Sequence, residues 1–501
     1  MPLYSELPTN INTVDIIIAG VIEAGSNNHG DPTIVTPLLF LFHGAPGSKT
    51  MTLHKGKKSE FLSNRELTET YHGDDPKDIH GHDGPVQITR GTYTSLRSEN
   101  AFVAAAEKLG WKEYEDLSDL VSNNGVQRAK RYISADGKRQ DAAHSYLHPR
   151  LQDDKHPNLH VVVDSQVIRV LFEGKKASGV TYQPKEGASR TIKARKTVVL
   201  SCGTCGTPPV LERSGIGKLE VLERAGIAPV SEVPGVGEGY EDHHSVSCAF
   251  KSSLEPDETI DGLVNGTLDV PSMLEKGDKM LGWNCLDVSC KLRPTQSDIA
   301  TLGADFQRIW NQNFEDDLSK PLTMMSLGNG GSMHITGPEL SDPVDFDPGF
   351  FSDAEGFDVK TCRWAYKKQR ELARRMSTYR GEATPCHPPF PADSEARCIE
   401  TDGPLAPDIT DIKYTAEDDT VIDQWLREKV ASTWHSLGTC KMLPLEKNGV
   451  VDANLNVHGV TGLKIADMSI SPTNLAGHTN HTAMVIGEKA ADIIVKELGR
   501  I

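Results

Sequence analysis

The sequence predicts an α/β protein that folds as more than one lobe. Its 501 residues exceed what one hydrophobic core usually supports. Short apolar runs of the kind buried in parallel sheets, Val14–Gly20 and Lys196–Leu200, alternate with helical patterns such as Ser95–Lys108. Hydrophobic residues make up 37% of the chain, and with its 44 glycines this is the ordinary apolar share of a globular protein. We therefore expect a large core.

The charge of the chain argues against two classes of partner. Lys and Arg number 53 against 70 Asp and Glu, which gives a net charge of −17. Such a balance disfavours binding to nucleic acid and to an anionic membrane surface. No apolar run reaches the length of a membrane span, and the N-terminus lacks the basic start and apolar stretch of a signal peptide. A small neutral substrate is expected.

Cysteine usage and the chain ends predict an intracellular protein. The nine cysteines are an odd number and scattered, as free thiols in a reducing compartment are. The C-terminal residues Leu498–Ile501 do not form a Ser-Lys-Leu peroxisomal signal. We therefore predict a cytoplasmic or peroxisomal location. A homo-oligomeric state is a separate expectation.

Two residue pairs of metal-binding type are interpreted as structural. Cys202 and Cys205 form Cys-x-x-Cys, but no second pair follows at zinc spacing. His144 and His148 are four residues apart, yet no glutamate or third ligand accompanies them. We expect no metal site.

Two histidines near the C-terminus form the candidate site. His435 lies in Thr433–Cys440, and His478 lies between a predicted strand at Gly462–Asp467 and a predicted helix at Thr482–Ala491. Loops that flank one buried strand can bring two imidazoles together across a substrate, and histidine is well suited to move protons near neutral pH. Among 18 histidines a structural role is the commoner one, so the order of the surrounding motifs decides.

That order resembles the C-terminal signature of the glucose-methanol-choline (GMC) flavoprotein oxidoreductases. The signature elements are Trp-His-x-x-Gly-Thr-Cys at 434–440, Asp-Met-Ser-x-x-Pro at 467–472, His478, and Ile-Gly-Glu-Lys-Ala at 486–490. Thr207–Gly217 resembles the second family signature, and the whole pattern is most similar to fungal alcohol (methanol) oxidases. The resemblance implies FAD as cofactor and a small primary alcohol as substrate. It further implies hydride transfer from the CH–OH group to flavin N5, with molecular oxygen or another acceptor taking the electrons.

The resemblance also assigns residues by motif. His435 corresponds to the base that takes the hydroxyl proton, and His478 to the residue that positions the alkoxide, with Asn480 and His481 as alternatives if the loop register differs. Asp467 is expected near the flavin diphosphate and ring, and the Val167 backbone near the adenine. The full set of expected cofactor-binding residues is Gly20, Glu23, Val167, Gly203, Thr204, Asp467, Thr479 and Asn480.

A discontinuous two-lobe architecture follows from the same resemblance. Residues 1–70, 158–245 and 432–501 are expected to form a truncated Rossmann-like FAD-binding lobe. Residues 71–157 and 246–431 are expected to form an α+β substrate lobe with a mixed or antiparallel sheet.

Two local structures are predicted from the residues of these lobes. Three β-rich runs at Leu159–Val163, Val167–Phe172 and Ala177–Tyr182 predict a β-meander, with Gly174 in the turn between the second and third strands. Leu67–Tyr71 is predicted to be a helix.

Two gaps interrupt the resemblance and leave a second hypothesis open. Only Val21 and Ile22 separate Gly20 from Glu23, although a Gly-x-Gly-x-x-Gly turn and a helix are expected between them. A glycine-serine segment that contacts the flavin in the family is missing near Arg65–Gly73. Because a parallel crossover needs a dozen or more residues, the segment after Gly20 should continue as one strand or leave the sheet. The alternative to an active enzyme is therefore a truncated relative that no longer binds FAD productively.

Overall fold

A computed structural model describes residues 3–5, 7–8, 11–19, 31, 35–39, 68–73, 80–119, 121–318, 320–323, 331–406 and 408–499. The strands in this part of the chain are β1 Leu3–Tyr4, β2 Thr13–Ile18, β3 Glu69–Tyr71, β4 Val86–Ile88, β5 Lys112–Glu113, β6 Gly125–Arg128, β7 Val161–Val162, β8 Ser165–Glu173, β9 Lys176–Pro184, β10 Arg190–Leu200, β11 Ile216–Gly217, β12 Ser231–Glu232, β13 Glu238–Tyr240, β14 His244–Ser245, β15 Phe250–Ser252, β16 Val288–Lys291, β17 Gly331–Ile335, β18 Val344–Asp347, β19 Tyr379–Glu382, β20 Ala431–Ser432 and β21 Leu463–Ile465. The α-helices in the same residues are α1 Leu96–Lys108, α2 His148–Gln152, α3 Thr207–Arg213, α4 Leu219–Arg224, α5 Asp261–Val264, α6 Val270–Lys276, α7 Gln296–Leu302, α8 Ala304–Asn313, α9 Phe357–Arg375, α10 Ala416–Lys429 and α11 Thr479–Glu497.

The largest sheet in the described residues is organised around β10. Its strand order is β2-β10-β9-β8, with β21 also paired with β10. The C-terminal half of β10 pairs in parallel with β2 and β21, whereas its first residues pair antiparallel with β9. Val198, Val199 and Leu200 are at most 2% exposed, as expected for a strand covered on both faces.

The register of the three parallel strands determines where the site lies. Val198 is opposite Ile17 on one side and Leu463 on the other, so the strands end at the same edge. In open α/β sheets ligands bind beyond the carboxyl ends of the strands. The loops that follow β10 and β21 begin at this edge.

Helix α3 covers one face of the sheet. It begins after the turn at Gly203–Gly206 with prolines in its first turn, and it ends before Gly215, whose φ is 81°. Val210 and Leu211 pack into the same core as the sheet residues. The strand, turn and helix predicted for this segment are confirmed.

The sheets elsewhere are small and mixed or antiparallel, as predicted for a substrate lobe. Strand β6 pairs antiparallel with β16 and parallel with β5, and β17 pairs antiparallel with β13 and β18. The long helix α9 packs against α10 and buries Arg370, which is 1% exposed and ion-paired with Glu382 at 2.8 Å. The α/β fold class is confirmed, and the lobe boundaries stay a prediction.

Two local predictions are wrong. The segment ending at Tyr71 is not a helix, because its last three residues form β3, which pairs in parallel with β4. The threonine and tyrosine of β3 favour a strand, and the five residues of the predicted helix are too few for a stable one. The hairpin of β8 and β9 with Gly174 in its turn is confirmed, but β7 pairs with β1 in a separate sheet, and the third strand of the meander is β10.

None of the helices in the described residues is long and apolar enough to cross a membrane. The predicted course of the chain after Gly20 falls on residues that lie outside the described part of the chain, and so do residues 65–67 at the second gap.

Candidate active site

The two predicted histidines lie side by side. His435 follows β20, and His478 immediately precedes α11 as its N-cap residue. His435 Nε2 is 3.2 Å from His478 Nδ1, and the rings meet edge to face at a centroid distance of 5.1 Å. The loops on either side of β21 thus bring together the imidazoles that the sequence predicts.

The backbone before His435 adopts a rarely populated conformation. Trp434 has a φ of 60°, in the left-handed region that a bulky residue seldom enters, and its side chain is 70% exposed. The turn separates the two neighbours: Trp434 faces solvent while His435 faces the interior. Such strain persists only where surrounding contacts hold it, and it is often found at functional sites.

A third histidine, His243, supports His435 from behind. Their Nδ1 atoms are 2.8 Å apart and the rings are almost perpendicular, at 89°. His243 Nε2 lies 2.9 Å from the carbonyl oxygen of Leu475. Sequence reasoning gave His243 no role at the site, because 192 positions separate the two histidines and no motif spacing links them.

The hydrogen bonds fix which nitrogen of His435 can act as a base. A carbonyl only accepts, so His243 Nε2 carries the hydrogen and donates it to Leu475. The Nδ1 of a neutral His243 then accepts from His435 Nδ1–H, which also lies 3.0 Å from Thr433 Oγ1. The lone pair of His435 is therefore on Nε2, the atom that faces His478.

Electrostatics keep His435 unprotonated. Burial, with smaller contributions from His243 and His478, lowers the pKa of His435 to about 3. Loss of hydration and the nearby charge of Lys291 also lower the pKa of His478. Both rings are thus neutral near neutral pH, and His435 carries a lone pair on Nε2.

Asp242 fastens the two histidine loops to each other. Its Oδ1 accepts hydrogen bonds from the backbone N–H groups of His243 at 2.7 Å and His435 at 3.0 Å. Burial raises the pKa of this fully buried carboxyl group. Further hydrogen bonds come from the hydroxyl groups of Ser432, Thr433, Tyr240 and Ser436.

Asp467 and Thr204 perform a similar task at the sheet edge. Asp467 Oδ2 accepts from Gly203 N–H at 3.0 Å and from the Thr207 hydroxyl at 2.6 Å. Thr204 donates to the carbonyl oxygen of Ser436 at 2.8 Å. The sequence predicts that Asp467, Gly203 and Thr204 contact the cofactor, and this stays a prediction. In the structure they join the loop after β10 to the loops after β20 and β21.

The other predicted site residues are distributed along the fold. Val167 is buried in β8, and Thr479 and Asn480 are the first two residues of α11. Gly20 and Glu23 lie outside the described residues. His481, an alternative to His478, is not at the site: its Nδ1 lies 2.9 Å from the hydroxyl oxygen of Tyr132.

One residue of each pair interpreted as structural has a hydrogen-bond partner in the described part of the chain. Cys202 Sγ donates to the carbonyl oxygen of Ala19, and His144 Nδ1 lies 2.7 Å from Asp141. Within the described ranges there is no cluster of three or more side chains able to hold a metal ion.

The start of α11 offers hydrogen-bond donors at the site. The side chain of the N-cap residue, His478, makes no capping hydrogen bond. The amide N–H groups of the first turn therefore point beyond the helix end. A Cβ added at Gly203 or Gly477 would meet nothing within 4 Å, so open space lies beside both loops. A helix N-terminus of this kind favours an electron-rich or anionic group.

Comparisons with known proteins match this arrangement. Sequence profiles of the GMC oxidoreductase family match residues 50–245 and 328–487. An alcohol oxidase from Pichia angusta is 31% identical over 621 aligned positions, which cover 98% of this chain and 92% of the relative. The chain belongs to the GMC oxidoreductase family. It is a flavin-dependent alcohol oxidoreductase, and its cofactor is FAD.

Other GMC relatives agree in sequence and in fold. An alcohol oxidase from Candida boidinii is 34% identical over 505 positions, which cover 84% of this chain and 75% of the relative. The formate oxidase structure from Aspergillus oryzae RIB40 superimposes with a TM-score of 0.78 at 17% identity, over 97% of this chain and 98% of that chain. At that identity the likeness shows the fold alone.

The alignment also bears on the gaps seen in the sequence. Because 501 residues cannot fill 621 aligned positions, the Pichia angusta enzyme carries segments that this GMC chain lacks. The comparisons nevertheless do not favour a degenerate relative over an oxidoreductase. The described residues fit the ring end of FAD, since an uncapped helix N-terminus and an imidazole pair meet beside open space.

Proposed function

We propose that this chain oxidises a small primary alcohol to the aldehyde, with His435 as the base and molecular oxygen as the final electron acceptor. The observation that carries the proposal is the 3.2 Å contact between His435 Nε2 and His478 Nδ1, with His435 oriented from behind by His243. The alcohol oxidases at 30–34% identity support both the substrate class and oxygen as acceptor.

The chemistry needs a proton acceptor and a hydride acceptor. FAD, when bound, supplies the hydride acceptor. His435 Nε2 takes the proton of the substrate hydroxyl group, and the negative charge left on the oxygen drives hydride from the adjacent carbon. His478 Nδ1–H donates a hydrogen bond to that oxygen and holds it against His435.

His243 lies beside His435 as a hydrogen-bond acceptor for the ring when it becomes charged. Once Nε2 is protonated, the ring is cationic, and its Nδ1–H donates a charge-assisted hydrogen bond to His243 Nδ1, 2.8 Å away. His243 is itself anchored to Leu475, so it can keep its lone pair on Nδ1 throughout. The arrangement orients His435 so that Nε2 meets the substrate hydroxyl group, and it offers the protonated ring a hydrogen-bond acceptor at Nδ1.

Several residues are proposed to hold FAD. The backbone N–H groups of Thr479 and Asn480 at the start of α11 suit the electron-rich edge of the ring. The remaining proposed contacts are Gly203, Thr204 and Asp467 at the sheet edge, Val167 in β8, and Gly20 and Glu23. The cytoplasmic or peroxisomal location and a homo-oligomeric state stay predictions.

The experiment is anaerobic reduction of the purified flavoprotein by primary alcohols of increasing chain length. Loss of the flavin absorbance band, with aldehyde formed in equal amount, is expected for the smallest alcohols. Readmission of oxygen should restore the band and release one peroxide per aldehyde. Reduction without peroxide would replace oxygen with another acceptor, and no reduction by any alcohol would refute the function.

A further inference from the structure

A buried cluster of ionisable side chains lies next to the first turn of α11. Glu69 in β3 is 2% exposed, and its Oε1 lies 2.7 Å from His80 Nδ1. His80 is 5% exposed, and its Nε2 lies 3.1 Å from Asp116 Oδ2. Buried groups of this kind require partners, and here each ring nitrogen of His80 has a carboxylate.

His481 connects this cluster to the helix that His478 begins. It is 9% exposed, and its Nδ1 lies 2.9 Å from the Tyr132 hydroxyl oxygen and 3.4 Å from Glu69 Oε2. His481 comes three residues after His478, so it belongs to the first turn of α11. Tyr132 and Glu69 are 349 and 412 positions away in sequence, so the contact fixes the helix start to a distant part of the chain.

The first turn needs such an anchor because the side chain of its N-cap residue makes no capping hydrogen bond. A capping side chain normally accepts from the N–H groups of the first turn and fixes the entry angle of the chain. At α11 the N-cap residue is His478, and its ring makes no capping hydrogen bond but is directed toward His435. The side chain of His481 is therefore a polar contact that joins this turn to Tyr132 and Glu69.

We propose that Glu69 and His481 are positioning residues that set the orientation of His478 toward His435. The proposal rests on the proposed function in taking His478 as the residue that holds the substrate oxygen. Glu69 Oε1 lies 2.7 Å from His80 Nδ1 and Glu69 Oε2 lies 3.4 Å from His481 Nδ1, and His80 is in turn fixed by Asp116. The ring of Tyr71 stacks on His80 at 3.8 Å and 5°, which keeps His80 from rotating away.

A double-mutant cycle separates positioning from a purely structural role. Glu69→Gln and His481→Gln are made singly, and each again in a His478→Ala protein, and the rate of flavin reduction by alcohol is measured. With His478 present each change should slow reduction by roughly tenfold, a usual size for coupled neighbours. With His478→Ala each should slow it less than about twofold, because the group being positioned is gone.

Glu212→Gln is the matched control. Glu212 is fully buried and bonded to His334 at 2.6 Å, so its loss disturbs a comparable pair away from α11. Glu212→Gln should change the rate of flavin reduction by the same factor with His478 present and with His478→Ala. If Glu69→Gln slows reduction by equal factors in both backgrounds, as the control does, the positioning role is wrong.

Hydrogen exchange tests the same link without any reaction. In Glu69→Gln and His481→Gln, amides 482–485 should exchange at least several-fold faster, while amides 490–497 at the other end of α11 keep the parent rate. Unchanged exchange at 482–485 would overturn the proposal. If either variant fails to fold, Tyr132→Phe removes one hydroxyl group and should shift the exchange in the same direction. A parent protein that no alcohol reduces would refute the proposed function, while the exchange result would still stand.

Discussion

His243 Nδ1 and His435 Nδ1 lie 2.8 Å apart, and this contact leaves the lone pair of His435 on Nε2, the nitrogen proposed to meet the substrate. One hydrogen lies between the two rings, and the carbonyl oxygen of Leu475 fixes which ring supplies it. A histidine in the opposite tautomer would present an N–H to the alcohol and could not take its proton.

Replacing His435 should remove the base. His435→Ala should slow flavin reduction by alcohol by roughly 10²-fold or more, the usual scale of lost general-base catalysis. Anaerobic stopped-flow absorbance measures the rate in enzyme with a full complement of flavin. His156→Ala, which removes an exposed histidine, should keep the parent rate. Equal rates in His435→Ala and the parent would show that another group takes the proton.

Replacing His478 should affect placement of the alcohol. His478→Asn keeps a hydrogen-bond donor near His435 and should retain measurable turnover, whereas His478→Ala should lose roughly 10²-fold, because the alkoxide then has no donor. Steady-state turnover and KM measured for both variants provide the comparison. Similar values for asparagine and alanine would contradict a positioning role.

Removing the support behind His435 should have a smaller effect on the same step. His243→Leu leaves Nδ1 of His435 with the Thr433 hydroxyl as its remaining partner among the contacts described, so the Nε2 lone pair is no longer enforced. Flavin reduction should fall by roughly 10- to 100-fold, the usual cost of losing an orienting partner. Flavin content, read from the absorbance band, should be unchanged. A rate within a factor of two of the parent would remove His243 from the mechanism.

The cluster at His80 should make stability depend on pH. Burial by itself lowers the pKa of His80, but the hydrogen bonds to Asp116 and Glu69 outweigh it and raise the pKa to about 9, above the unfolded value of about 6.5. The stabilisation is thus fully present below pH 6.5 and is lost as pH rises toward 9. His80→Gln should lower the Tm at pH 6.5 and lower it less at pH 9.5. A Tm difference that stays constant across this range would contradict a charged His80.

Sequence reasoning was strongest where the motif order is long. The pairing of His435 with His478, the strand before Gly203 and the helix that follows it come from segments in which composition, spacing and resemblance agree. It failed where tertiary contacts decide. The five residues that end at Tyr71 carry too little pattern to distinguish helix from strand, and pairing with β4 settles the choice.

The support around the two histidines was beyond sequence reasoning for a related reason. His243 contacts His435 across 192 positions and His481 contacts Tyr132 across 349. Neither pair has a spacing that a helix or strand period would reveal. His481 looked like a substitute for His478 because it is three residues away, but one helical turn directs the two rings to different neighbours.

The most direct test of the account is the first anaerobic turnover of the flavoprotein with a small primary alcohol. The account predicts that the flavin band of the parent is lost within one turnover, that one aldehyde forms per flavin, and that His435→Ala with the same flavin content is slower by roughly 10²-fold or more. A parent protein whose stoichiometric flavin is not reduced by any small primary alcohol would contradict it.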